Sequence, residues 1–170
     1  MIKLIICIVI ISGCSAAGFI KADEFKARTK ELENILEVFK LLQIEINYRK
    51  EPLQPMFKKL YLQKVCWFTD VLNECSLNLL KGYDLKQSWN CALQYKMNLC
   101  PLKKEDIEIL EDIALGLGKS DSQSQINIIN PATERIKTKL KEATEKEAKL
   151  GKMYKSLGFA AGIIIVIMFI

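Results

Sequence analysis

Apolar residues run almost unbroken at both ends of the chain and fall into a helical rhythm between them. Leu157 to Ile170, LGFAAGIIIVIMFI, holds no charged side chain, and Ile2 to Ile20 carries a charge only at Lys3. A run that is apolar all round the helix either crosses a membrane or lies inside a core. As a helix the last stretch rises about 21 Å, short of a hydrocarbon layer of roughly 30 Å. Met153, Tyr154 and a snorkelling Lys155 make up much of the difference. The pattern predicts an N-terminal membrane anchor at 1–20, a helical domain at 21–156 and a C-terminal membrane segment at 157–170. A buried core helix is the alternative for the last.

Between the runs, Phe25, Leu32, Leu36, Phe39, Leu42 and Ile46 step by threes, fours and sevens. They line one face of a long helix, continuous with the first apolar run and ending near 47–50, ahead of Glu51-Pro52. Pro52 fits the first position of a second helix, with Leu53, Met56, Phe57 and Leu60 inward. A third spans about Val65 to Leu80 and stops at Lys81-Gly82-Tyr83. Asp84 with Gln87 caps a fourth, whose Leu85, Trp89, Ala92 and Leu93 face inward, and Cys100-Pro101 ends it. A fifth runs from Leu102 to Gly118. A sixth starts near Asp121 and passes through Ile126, Ile129, Ile136, Leu140, Ala143 and Leu150 into the apolar tail, with a kink or break expected at Pro131. No stretch alternates as a strand does. The expectation is an all-α protein, an antiparallel bundle of about six helices flanked by N- and C-terminal membrane segments. Pro52-Leu53-x-x-Met56-Phe57-x-x-Leu60 echoes Asp84-Leu85-x-x-Ser88-Trp89-x-x-Ala92-Leu93, either as a duplication or as two amphipathic helix starts.

Charge orients this picture. The net charge of +5 is mild and its Lys and Arg are interleaved with acids, so there is no nucleic-acid footprint. Lys21, Lys26, Arg28 and Lys30 follow the first run and Lys149, Lys152 and Lys155 precede the second, with Lys3 alone outside them. Positive flanks favour the cytoplasmic side, which places the central domain in the cytoplasm. The six cysteines (7, 14, 66, 75, 91 and 100) show no CxxC spacing, and histidine is absent. A metal site and His-based acid–base chemistry are therefore not expected. The cysteines read as small hydrophobes, with disulfides the alternative. Ile11-Ser12-Gly13-Cys14 has the form of a lipobox, which sets a cleaved lipoprotein, lipidated at Cys14, against an uncleaved anchor. The apolar residues Ala16, Ala17, Gly18, Phe19 and Ile20 beyond the cysteine favour the anchor.

No catalytic or cofactor motif is present, so neither an enzyme nor a cofactor is expected. Gly116-Leu117-Gly118-Lys119-Ser120 ends like a phosphate loop but has Ile113 where a glycine is required, and it follows a helix. The concentrated surface feature is acidic. Glu105, Asp106, Glu108, Glu111 and Asp112 form the outer face of the fifth helix, with Asp121 beyond the glycine turn. They are the candidates for binding a partner protein. A solvated face with acids complementing the helix dipole explains the same residues.

Several segments, taken in order, resemble the stage III sporulation AB family of endospore-forming bacteria over the whole chain. They are the start MIKLIICIVIISG, Glu45-Ile46-Asn47-Tyr48-Arg49-Lys50-Glu51-Pro52-Leu53, and Leu85-x-x-Ser88-Trp89-x-x-Ala92-Leu93. Leu102-x-x-x-Asp106, Leu117-Gly118-Lys119-Ser120-Asp121 with Gln125, and Lys152-Met153-Tyr154-Lys155-Ser156-Leu157-Gly158-Phe159 complete the set. The resemblance implies a protein tethered at both ends. Its helical domain would be similar to the cytoplasmic domain of type II secretion F-type (GspF) platform proteins. It implies a non-enzymatic subunit of the channel complex joining mother cell and forespore, on the mother-cell side of the outer forespore membrane. The implied partners are the secretion-type ATPase, stage III sporulation protein AA, the other proteins of that complex and membrane lipid, with homo-oligomerisation left open. The competing reading is a bacterial surface lipoprotein with a helical binding domain. A third is a helical adaptor whose tail only lies on a membrane.

Overall fold

Helices are the regular structure throughout the described residues of the chain, seen in a computed structural model that describes residues 2–48, 51–114, 116–117 and 122–169. α1 spans Ile2–Tyr48, α2 Leu53–Gln63, α3 Trp67–Leu80 and α4 Leu85–Lys96, which runs into a 3-10 turn at Met97–Leu99. α5 spans Lys104–Ala114 and α6 Ser122–Lys146, and a π-helical turn at Glu147–Gly151 joins α6 to α7, Lys152–Phe169. Because α6, the π turn and α7 follow one another without a gap, the described residues form six helices. The all-α expectation holds, and no strand occurs among the described residues.

Local chemistry explains most boundaries. The Asp84 carboxylate accepts the Gln87 N–H at 2.6 Å, the expected cap of α4. Gly82 takes a φ of 89° in the turn before it, where a side chain would be strained. Pro52 is the residue before α2, one position earlier than expected. α5 is shorter than the Leu102–Gly118 pattern suggests, because Lys103 is where its backbone hydrogen bonds begin and Ala114 is its last helical residue. Pro131 lies inside α6 without breaking it. An interior proline costs roughly 3 kcal/mol, but Ile129, Ala132 and Ile136 bury one side of α6 around it, and Gln43 donates to the Asn130 amide oxygen at 2.7 Å. Packing outweighs propensity there.

The chain divides into two compact units, residues 1–29 with 141–170 (unit 1) and residues 30–140 (unit 2). These are packing divisions, and they differ from the membrane and water boundaries expected at 20 and 157.

Unit 2 is built around aromatic side chains. Trp89 is fully buried and meets Phe57 and Phe68 edge to face, with ring centroids 5.9 and 6.1 Å apart, while Phe68 meets Phe39 in the same way at 5.8 Å. Phe57 and Trp89 are the aromatics of the two echoed motifs, so the repeated helix starts bring their rings together. From α1, Leu32, Ile35, Val38, Phe39, Leu42 and Ile46 are buried. Ile35 and Val38 join the expected stripe, and Leu36 stands at its edge. The N-terminus of α3 is capped from a distance: the Glu31 carboxylate accepts the Phe68 N–H at 2.9 Å, where the helix dipole favours a negative charge. Lys59 bridges to the buried Glu45 at 2.7 Å and ties α2 to the end of α1.

Unit 1 pairs the N-terminal part of α1 with α7. A Cβ on Gly18 would fall 2.6 Å from the Tyr154 carbonyl oxygen, and one on Gly158 would fall 2.7 Å from the Cys14 carbonyl oxygen. The backbones thus approach where glycines leave room, in the small-xxx-small manner of membrane helices. Phe25 stacks on Tyr154 with centroids 5.9 Å apart, and the Lys155 amine lies 5.3 Å from the centre of the Phe19 ring. The outward positions are apolar, among them Ile8, Val9, Phe19, Ile164 and Ile167. The continuous helix through Ser124–Met168 is long and apolar enough to cross a membrane, and only 11% of its most apolar window is buried. A core helix would be mostly buried.

Candidate partner surface

The amphipathic pattern of α5 sets its inward face, Ile107, Ile109, Leu110, Ile113 and Ala114, all buried. The acids candidate by candidate then part company. Asp106 is not on the outer face. It is fully buried, and its carboxylate accepts the Lys103 N–H at 2.9 Å, the backward half of a capping box from the third helical position. Glu105 and Asp112 are exposed but engaged with α6: Lys139 reaches Glu105 at 2.6 Å and Arg135 reaches Asp112 at 2.7 Å. Lys139 holds the Glu105 carboxyl below its ordinary value, mainly through their hydrogen bond. Glu108 and Glu111 remain exposed with no ion pair among the described residues. Asp121 lies outside the described residues, as do Gly118 to Ser120 of the glycine turn.

Two grooves adjoin this face. One, of about 330 Å³, lies between α4 and α5 and is lined by Lys86, Asn90, Gln94, Glu111 and Asp112. The other, of about 750 Å³, opens where the α1–α2, α3–α4 and α5–α6 connections meet. It is lined by Glu51, Pro52, Leu53, Asp84, Leu85 and Leu117, with Lys86 and Ala114 common to both grooves. Sequence reasoning singled out these residues as separate motif fragments and missed their convergence, since only the chain's reversals bring them to one end of the bundle. Gly116 belongs to the same end, where a Cβ would run into the Ile128 side chain. The arrangement is a mixed-charge concave surface beside two glutamates that have no ion pair among the described residues.

The cysteines stand as free thiols at 14, 66, 75, 91 and 100. Burial pushes Cys75 up to about 12 and also raises Cys66 and Cys100. Cys91 is exposed. Cys66 precedes α3, and its N–H donates to the Thr69 hydroxyl at 3.0 Å.

A family model described as stage III sporulation protein AB matches residues 3–170. Stage III sporulation protein AB of Bacillus subtilis (strain 168) is 28% identical over 169 residues, covering 99% of both chains. A solved structure of a stage III sporulation protein AB superposes with a TM-score of 0.66 at 23% identity, over 72% of this chain and 98% of that one, and shares its fold.

Proposed function

The chain belongs to the stage III sporulation protein AB family, and on that premise we propose that it is a non-enzymatic membrane platform subunit of the channel complex between mother cell and forespore. Both apolar ends are held in the membrane. Unit 2 projects into the mother-cell cytoplasm and docks the secretion-type ATPase, stage III sporulation protein AA. The observation that carries this reading is unit 1. The family match runs through both apolar ends, and those ends pack on each other through glycines with apolar side chains outward. The lysines flanking the two runs support the cytoplasmic side for the residues between them. The lipoprotein reading draws less support, since the apolar residues continue beyond Cys14 to Ile20 and Gly18 among them packs against the Tyr154 backbone.

Glu108 and Glu111, with the adjoining α4–α5 groove, are the proposed ATPase surface. Protease treatment of intact spheroplasts tests the topology: survival of the 21–156 region until lysis is expected, and digestion before lysis reverses it. Glu108→Lys with Glu111→Lys then tests the surface. The double variant should lose co-purification with the ATPase while keeping its helical circular dichroism. Undiminished binding removes these two residues from the interface.

A further inference from the structure

One end of unit 2 exposes apolar side chains that neither the fold nor the proposed ATPase surface uses. Glu31 binds the Phe68 N–H at 2.9 Å, the Trp67 indole N–H donates to the Lys96 carbonyl at 2.9 Å, and Lys139 meets Glu105 at 2.6 Å. These contacts bring together the α2–α3 turn, the α4–α5 connection, and the two points at which the chain enters and leaves the unit. Four apolar side chains there face solvent: Leu62 is 73% exposed, Val65 79%, Tyr95 71% and Leu99 81%.

The charges at this end are unbalanced. Glu31, Glu105 and Asp106 are occupied by the Phe68 amide, Lys139 and the Lys103 amide, and Lys64 is paired with Glu37. Lys96, Lys103 and Lys104 have no ion pair among the described residues, against Asp70 in the first turn of α3 and Glu108 one turn along α5. The opposite end also exposes Leu80 and Tyr83, but Glu51 and Asp84 line its groove.

We propose that the end of unit 2 formed by Leu62, Val65, Tyr95 and Leu99 rests on an anionic lipid surface, held by Lys96, Lys103 and Lys104. Apolar and aromatic tips set among lysines match the headgroup boundary, where the rings and methyls leave water while the amines stay with phosphates. Chain length makes the contact reachable. Only nine residues of chain, 21–29, separate unit 2 from the first apolar run. The proposal rests on the membrane-tethered reading above.

Its test uses the full chain in vesicles of phosphatidylcholine with or without phosphatidylglycerol, with a headgroup-attached spin-label quencher. Val65→Trp and Leu99→Trp report on this end and Tyr83→Trp on the opposite one, over the common background of Trp67 and Trp89. The first two should be quenched more strongly than the third when phosphatidylglycerol is present. That excess should disappear in 1 M salt, where screening shortens to about 3 Å, and in a Lys96, Lys103 and Lys104 to Gln variant. Equal quenching at all three positions overturns the proposal. Quenching that follows protein density instead of lipid charge assigns the surface to a second copy and also overturns it. Failure of the chain to co-float with the vesicles sinks the tether itself, a distinct outcome.

Discussion

In unit 2 the helices are spaced by Phe57, Phe68 and Trp89, whose rings meet edge to face. In unit 1, α1 and α7 approach so closely at Gly18 and Gly158 that a methyl group does not fit. Under the proposed membrane tethering, the contrast is one between two solvents. Unit 2 buries large apolar side chains and turns lysines and glutamates outward, as water demands. Unit 1 turns Ile8, Val9, Ile164 and Ile167 outward, and what is left to hold its helices is close van der Waals contact between small residues. One helix, α1, contributes to both units, so a single stretch of regular backbone carries two opposite burial patterns.

The comparison breaks most visibly at Trp89. Trp89→Ala removes the ring shared by two edge-to-face pairings and should destabilise unit 2 by about 3–5 kcal/mol, read as a lowered denaturation midpoint of the purified chain. The α1–α7 pairing should be unaffected, and its loss in that variant would show the two units to be one cooperative block.

Unit 1 can be probed by covalent chemistry. A Cβ at position 162 would lie 3.4 Å from the Cys14 Cβ, near the separation a disulfide needs. Gly162→Cys should therefore cross-link to Cys14 on mild oxidation in membranes, seen as a mobility shift reversed by reductant. Adding Gly158→Leu should abolish the cross-link by forcing the helices apart. A lipidated Cys14 would give no cross-link in either variant.

Acid should weaken unit 2. The Lys64 hydrogen bond lowers Glu37, and that from Lys139 lowers Glu105, both from an ordinary 4.5. A carboxyl with a depressed folded-state value stabilises above its unfolded value and loses that contribution as pH falls through the folded one. Stability should thus fall below about pH 4.5, modestly because both groups are exposed, and less so in Lys139→Gln, as a pH series of thermal midpoints would show. The smallest effect is chemical. Maleimide on the native chain should label Cys91 well before Cys75, whose buried thiol remains protonated, and equal rates would place Cys75 nearer the surface.

Much of unit 2 was legible because its signals are local. The Asp84 cap, the Gly82 turn and the inward positions of α4 follow from residues within a few places of one another. The acidic face was legible only in part. Spacing put five acids on α5, but it could not see that Asp106 folds back on its own helix start, nor that Lys139 and Arg135 arrive from α6 to occupy Glu105 and Asp112. Glu108 and Glu111 stand apart only after those pairings are known. The π turn at Glu147–Gly151 left no recognisable mark in the pattern.

The sequence by itself determined the helical class, the two apolar ends and the lysines beside them, because hydrophobic period and charge are written residue by residue. Tertiary structure decided which glycines touch and which acids remain unpaired. It also decided that Pro131 is carried inside a helix and that exposed apolar tips gather with lysines at one end of unit 2. Those outcomes depend on backbones that meet across many residues of chain, where the packing of a distant helix outweighs local preference.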